Sequence, residues 1–259
     1  MTMHWDFAFE QLTAYLLVFC RMTGVILFNP ILARRNMPTR FTLALCLGIA
    51  LLLTPMVAHT MAPMQENLVL VVAIVAELLI GFVWGLIFQL FYYLLFMVGD
   101  AIDMSLGMSM AKVFDQSTNM QMSLSGNIFN LMFVLFLFAT NSHISLLRLA
   151  MASFDLIGIG GAALTQNLNQ FMLDVFVEAV TLSIRIALPF LAATFTVEVI
   201  MGVLMKLVPQ INIFSIHFQA KVIMGLILLY AFTVPVSNFM DAYVKIVFQA
   251  MEKALYVML

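Results

Sequence analysis

Residues 68–98 read LVLVVAIVAELLIGFVWGLIFQLFYYLLFMV, an almost unbroken apolar stretch that contains one charged residue, Glu77. A helix needs roughly 20 apolar residues to cross the hydrocarbon core of a bilayer, which is about 30 Å thick. This stretch is longer, so it predicts a helix that is tilted or bent, or one that rises out of the membrane into protein. Gly81 and Gly85 within it form a G-x-x-x-G pair, which allows another helix to approach closely.

The composition of the whole chain points the same way. Of its 259 residues, 64% are hydrophobic and 9% are charged, whereas a soluble domain is about half apolar and a quarter charged. Lipid or a large partner interface must cover that much apolar surface. The net charge of −2 and the lack of a basic run exclude a nucleic-acid partner. We therefore expect an all-α integral membrane protein.

Further apolar stretches bring the expected number of membrane spans to about six. They cover residues 12–28, 41–57, 128–139, 171–208 and 222–236. The stretch at 128–139 is short for a span, and the stretch at 171–208 contains charged residues. Residues 237–259 carry Asp241, Lys245, Glu252 and Lys253 spaced among apolar side chains, a pattern that predicts an amphipathic helix lying at the membrane interface or against a partner.

Small and polar residues dominate between residues 99 and 127. A connection of this length is often functional. It also contains several of the 22 methionines, whose unbranched, polarizable side chains pack well against irregular surfaces. In a loop that lines a conduit, such side chains could close around a passing chain. Alternatively, methionine is simply abundant here and fills gaps as leucine would.

No catalytic or metal-binding pattern is present in the sequence. It contains no H-E-x-x-H, G-x-S-x-G, P-loop or dinucleotide-binding motif, and its four histidines lie far apart. Cys20 and Cys46 lie in apolar stretches and form no C-x-x-C pair, which favours two buried hydrophobes over a disulfide or a metal site. We therefore expect no enzymatic activity and no cofactor.

Ionisable residues inside apolar stretches are costly, and they usually face protein or water. In this chain they are scattered singly, which favours salt bridges inside an assembly over a proton or ion relay. Glu10 and Arg21 belong to this group. The residues that we expect to serve assembly as buried charges are Glu77, Glu178, Arg185 and Glu198.

The order of these features resembles the FliR family of flagellar export-gate proteins, which is shared with virulence type III secretion systems. The similarity covers nearly the whole chain and includes Arg21, Glu77, Gly81, Gly85, residues 99–103, Gly107, His143, Pro189 and Gly202. Its most specific part is Pro209-Gln210-Ile211-Asn212-Ile213-Phe214, with Lys221 downstream. The chain departs from the family pattern at Gln116, where the family often has proline, and at His217 and Gln219, where it has glycine and proline.

The resemblance implies a single export-gate domain over residues 1–259, made of bent helical hairpins packed in a hetero-oligomeric pore assembly. FliP and FliQ would be the main partners, with FlhB, FlhA and lipid as further ones, in the bacterial inner membrane at the flagellar basal body. Unfolded flagellar subunits would pass through the gate. The family's polar loop helps to keep the gate shut and maps onto residues 106–122, where the candidate pore residues are Leu106, Met108, Met110, Lys112, Phe114, Asp115, Gln116, Met120 and Met122.

Three other interpretations stay open at this point. The first is a polytopic secondary transporter or ion channel that acts alone or as a homo-oligomer. The second is an intramembrane enzyme, which the missing motifs disfavour. The third is a structural nucleus that seeds the basal body without lining a pore.

Overall fold

The longest apolar stretches of the sequence form the longest helices. The structure, a computed structural model, describes residues 2–33, 38–60, 67–108, 123–161, 167–208 and 213–258. Within these ranges the chain forms a short 3-10 helix, Ala58–Thr60, and eight α-helices and has no strand. The helices are α1 (Thr2–Leu27), α2 (Thr39–Val57), α3 (Asn67–Ser105), α4 (Leu124–Ala139), α5 (Ser142–Ile157), α6 (Asn167–Leu207), α7 (Ile213–Ala231) and α8 (Thr233–Val257).

Four of these helices are long and apolar enough to cross a membrane. The matching segments are Glu10–Leu27, Thr39–Val57, Leu68–Ser105 and Asn167–Leu207. Two further pairs, α4 with α5 and α7 with α8, qualify if each bent pair counts as one span, which brings the number to as many as six. The prediction of an all-α integral membrane protein is confirmed.

The bent pairs explain why some apolar stretches looked too short. With 16 residues, α4 falls short of the roughly 20 that a crossing needs, and it is followed closely by α5. Asn141 adopts the left-handed conformation between them, at φ 57°, which asparagine tolerates better than most residues. In the second pair, Pro235 lies in the first turn of α8, where its missing N–H costs the helix nothing.

The predicted polar loop at residues 99–127 is wrong at both ends. Helix α3 continues to Ser105, and α4 begins at Leu124. The reason is helix packing: a Cβ atom on Gly99 would collide with the backbone of Gly126. Small residues that suggested a loop therefore bring two helices together. Residues 109–122 of the predicted loop lie outside the described residues.

The C-terminal helix also differs from the prediction. It begins at Thr233, before Pro235, and its apolar face is buried within the chain at Met240, Tyr243, Val247 and Leu255. The same amphipathic pattern that suggested an interfacial helix thus packs intramolecularly. A periodic apolar stripe specifies that a face is covered, but not what covers it.

The chain divides into two compact units, each built from segments far apart in sequence. The first comprises Met1–Phe91, Phe138–Phe176 and Lys245–Leu259, and the second comprises Tyr92–Leu137 and Val177–Val244. Helices α3, α4, α6 and α8 each contribute residues to both units. The single domain over residues 1–259 stays a prediction.

In the first unit, α1 and α3 approach each other closely through glycines. A Cβ atom on Gly24 would lie 2.7 Å from the carbonyl carbon of Gly81, and one on Gly81 would collide with the carbonyl oxygen of Arg21. One turn further on, a Cβ atom on Gly85 would lie 2.9 Å from the carbonyl oxygen of Gly24. The G-x-x-x-G pair therefore contacts a helix of the same chain.

We predict that Gly81→Ala destabilises the chain by about 1–3 kcal/mol, because the added methyl group forces the α1 and α3 backbones apart. The matched control is Gly48→Ala in α2, where a Cβ atom would meet nothing within 4 Å. That change should be neutral or stabilise the helix by up to about 1 kcal/mol. Thermal unfolding of both variants in mild detergent measures the difference, and equal melting temperatures would contradict the close crossing.

Candidate functional site

Two of the most deeply buried charges among the described residues lie beside the α1–α3 crossing. Arg21 of α1 and Glu77 of α3 form an ion pair, and their side chains are 1% and 0% exposed. The guanidinium binds the carboxylate at two points: Nε donates to Oε2, and Nη2 donates to Oε1 at 2.9 Å. This two-point geometry is the strong form of an arginine–carboxylate contact.

The remaining donors of Arg21 bind backbone and side-chain oxygens of the first unit. Nη1 donates to the carbonyl and hydroxyl oxygens of Ser153, at 2.9 and 3.2 Å, and Nη2 donates to the carbonyl of Gly158 at 2.7 Å. With the two bonds to Glu77, these five contacts match the five N–H donors of a guanidinium. The aromatic ring of Phe154 also lies 4.1 Å from the guanidinium carbon, which adds a cation–π contact.

Glu77 is held from the other side by the turn that follows α5. Its Oε1 accepts a hydrogen bond from the backbone N–H of Gly160 at 2.8 Å. Gly158 and Gly160 have φ angles of 71° and 78°, which glycine adopts without strain. The network therefore joins α1, α3, α5 and the turn after α5. Because every guanidinium donor is engaged, the arrangement suits a structural lock rather than a relay that must bind and release a proton.

A second buried carboxylate lies in the second unit. Asp103, near the end of α3, is 1% exposed and accepts hydrogen bonds from the Ser123 hydroxyl at 2.7 Å and from the Ser125 N–H at 3.2 Å. Ser123 immediately precedes α4, and its Oγ accepts from the Gly126 N–H at 2.9 Å. Asp103 and Ser123 thus cap the N-terminus of α4 together, where negative charge is favoured.

The end of α3 is closed by a Schellman motif. The N–H of Met108 donates to the carbonyl of Asp103 at 2.9 Å, and the N–H of Gly107 donates to that of Met104 at 3.1 Å. Gly107 has a φ of 75°, as the left-handed position of this motif requires. Leu106 is fully buried against Gly225, which has no side chain to displace it. Asp103 therefore binds both residues that flank segment 109–122: its carbonyl accepts from the Met108 N–H, and its carboxylate accepts from the Ser123 hydroxyl.

The four charged residues that we expect to serve assembly differ in burial and in ion pairing. Glu77 is buried and paired within the chain. Glu198 of α6 pairs with Lys221 of α7, with a distance of 2.6 Å between Nζ and Oε1, and Glu198 remains 48% exposed. Glu178 and Arg185 of α6 are exposed in the isolated chain. Their burial in an assembly stays a prediction.

Most of the predicted pore and turn residues lie outside the part that the structure describes. Of the pore candidates, Leu106 is buried and Met108 is half-buried. The others are Met110, Lys112, Phe114, Asp115, Gln116, Met120 and Met122, all outside the described residues. The same holds for Pro209, Gln210, Asn212 and the side chain of Phe214. Lys221 is described, as the partner of Glu198.

Sequence reasoning missed the partners of both buried networks. A serine directly before an apolar run, as at Ser123, is a helix N-cap signal that could have been read. The hydrogen bond from Ser123 to Asp103 is not predictable from the sequence, because it depends on how α3 and α4 pack. The sequence marks Arg21 as a costly charge inside an apolar stretch, but it does not indicate that Glu77 is the partner of that charge. Across the described ranges, no cluster of three or more His, Cys, Asp or Glu side chains could hold a metal ion.

The fold and these networks define an all-α membrane protein in which three buried charges, Arg21, Glu77 and Asp103, are held in helix packing. A sequence profile of the bacterial export proteins, family 1, matches residues 12–247, and the chain belongs to that family. It is 25% identical to the flagellar biosynthetic protein FliR of Escherichia coli K12, over 89% of this chain and 88% of the relative. It is also 26% identical to the Bacillus subtilis FliR, over 83% and 84%, and 25% identical to the Aquifex aeolicus FliR, over 92% and 93%. This similarity supports a component of a flagellar export apparatus.

We predict that Glu77→Gln costs about 3 kcal/mol or more of stability, because it leaves the buried Arg21 charge uncompensated. Glu10→Gln, at an exposed acid of the same helix as Arg21, is the matched control and should be nearly neutral. The double variant Arg21→Met, Glu77→Leu should recover part of the loss, since it removes both charges. Chemical unfolding in detergent checks the three variants, and a neutral Glu77→Gln would contradict the lock.

Proposed function

We propose that this chain is a subunit of the flagellar type III protein export gate. Together with FliP and FliQ it forms the channel through which unfolded flagellar subunits leave the cytoplasm, and it helps to seal that channel when closed. The site of action is the inner membrane within the flagellar basal body. FlhB and FlhA are the further partners that we expect there.

The observation that carries this proposal is the length of apolar surface exposed along α6. Large hydrophobic side chains are exposed from Leu173, at 58%, to Leu207, at 71%. At 1.5 Å per residue they span about 50 Å of helix axis. A hydrocarbon core of about 30 Å covers only about 39 Å of a helix, even at the steepest common tilt of about 40°.

Lipid therefore cannot cover the whole exposed face of α6. Water is no better, because so many exposed large apolar side chains along one helix are typical of a protein interaction surface. Neighbouring subunits are the remaining cover. A hetero-oligomeric gate supplies them, whereas a transporter that acts alone does not.

The sealing role rests on the way the segment 109–122 is anchored. On its N-terminal side, the Schellman motif and the buried Leu106 fix the end of α3. On its C-terminal side, Ser123 is bound by Asp103 and caps α4. Short, fixed anchors would hold a methionine-rich segment at one place in a conduit, where flexible side chains can form a deformable seal.

The test of assembly is the native mass of the tagged full-length chain after co-expression with FliP and FliQ from the same bacterium. We expect a single large hetero-oligomer that contains this chain. Purification in mild detergent followed by native mass spectrometry measures it. A chain recovered alone, or as a homo-oligomer of stable mass, would instead support the transporter.

We also predict that replacing residues 109–122 by a Gly/Ser linker of the same length makes the assembled gate leaky to small ions. The change keeps Asp103 and Ser123, so the described anchors remain. Replacing Met110, Met120 and Met122 by leucine is the matched control, and it should preserve more of the seal because it retains apolar bulk. Ion flux through reconstituted complexes is the measurement. Unchanged tightness of the linker variant would favour a structural nucleus over a sealing subunit.

A further inference from the structure

The outward side of α6 is unusual for a membrane-length helix. Its inner side is buried at Val175, Ala179, Ser183, Ile186 and Phe190. Away from this buried side lie the exposed residues Glu178, Thr181 and Arg185, at steps of three and four residues that keep them in one line. We call these three residues the α6 seam. An exposed side of α6 thus carries two opposite charges and a hydroxyl, and the exposed Asp174 continues the line one turn before Glu178.

Neither lipid nor water suits the surroundings of the α6 seam. Charged side chains on a lipid-facing surface are strongly disfavoured. Yet the neighbours of the seam are apolar and exposed: Val177 at 60%, Ile184 at 53% and Leu188 at 54%. In water these side chains would form an exposed apolar patch. A protein surface that is apolar with a few matching charges satisfies both requirements.

The two seam charges have no ion-pair partner among the described residues of the chain, in contrast to Glu198, which binds Lys221. Glu178 and Arg185 are seven positions apart, which separates them by about 10 Å along the helix axis, too far for a salt bridge to each other. Each charge is therefore available to a partner.

We propose that the α6 seam docks against a membrane-length helix of a different subunit of the export gate. That helix carries a lysine or arginine opposite Glu178 and an aspartate or glutamate opposite Arg185, spaced about seven residues apart, with a small or apolar residue facing Thr181. This inference rests on the proposed function, because it needs a hetero-oligomer, and it adds the surface and the partner chemistry.

A second copy of this chain does not fit the seam. In a parallel pair about a two-fold axis, Glu178 would face Glu178 and Arg185 would face Arg185, which is repulsive. In an antiparallel pair the charges would match. That arrangement needs two copies inserted with opposite topology, whereas Arg34, Arg35 and Arg40, which follow the first apolar stretch of the sequence, favour the same topology in every copy. The charge pattern thus selects a different chain.

The first test is charge reversal in the full chain, co-expressed with the other membrane proteins of the export apparatus. Glu178→Arg and Arg185→Glu should each lower the yield of hetero-oligomer about tenfold or more, because like charges then meet in a desolvated interface. The matched control is Glu252→Arg, at an exposed acid of α8 outside the seam, and it should leave the yield unchanged. The amount of chain in the membrane must match in all variants.

The charge swap Glu178→Arg, Arg185→Glu sharpens this test, because it keeps the composition and net charge. The yield of hetero-oligomer should also fall for the swapped variant, since the order of the two charges along the helix is reversed. Normal yield for the swap and for both single variants would overturn the proposal. A complex lost equally with Glu252→Arg would also overturn it, because the effect would then be general.

The second test places a photo-cross-linking amino acid at position 181 of the full chain. We expect an adduct with a different membrane subunit, whose contact peptide contains a basic and an acidic residue about seven positions apart. An adduct with a second copy, or with lipid alone, would overturn the docking proposal while the co-purified complex still supports the gate. Failure of even the unaltered chain to form a complex would overturn the proposed function, and the seam with it.

Discussion

The buried ion pair between Arg21 and Glu77 is the interaction on which the first unit depends. Removing two charges from water costs several kcal/mol for each ion, and attraction between them offsets this only when the remaining hydrogen-bonding capacity is also satisfied. Here Ser153, Gly158 and Gly160 satisfy it. The helices and the turn that supply these groups must all be in place at once, so the network selects one packing arrangement among many apolar ones.

Charge and glycine act together in this selection. The glycines at the α1–α3 crossing set a backbone separation that lets a guanidinium reach a carboxylate on the facing helix. The second unit repeats the principle: Gly99 and Gly126 bring α3 against α4, and the carboxylate of Asp103 then accepts from the Ser125 N–H in the first turn of α4. Apolar side chains alone would pack in several registers, because leucine and valine are interchangeable at modest cost.

The sequence was sufficient to predict helices but not their partners. Long apolar stretches indicated α1, α2, α3 and α6 because membrane spans need only length and composition. The ends at residues 99–105 and 124–127 were assigned wrongly, since small and polar residues look the same in a loop and in a tight helix contact. Pairings such as Arg21 with Glu77, 56 positions apart in the chain, depend on tertiary geometry. The amphipathic pattern of α8 likewise did not reveal that its apolar face is buried internally.

The same limit applies to the outer surface, where apolar side chains facing lipid and those facing a subunit are indistinguishable by hydropathy. A surface that faces another subunit can be recognised where its apolar length or its charges do not suit a bilayer. Helix α6 exposes more apolar length than a bilayer covers, and it carries open charges at Glu178 and Arg185 among exposed apolar neighbours. The charges of Arg21, Glu77 and Asp103 are satisfied inside the chain. Among the described residues, the charges of the α6 seam have no ion-pair partner, and the proposed docking against another subunit would supply one.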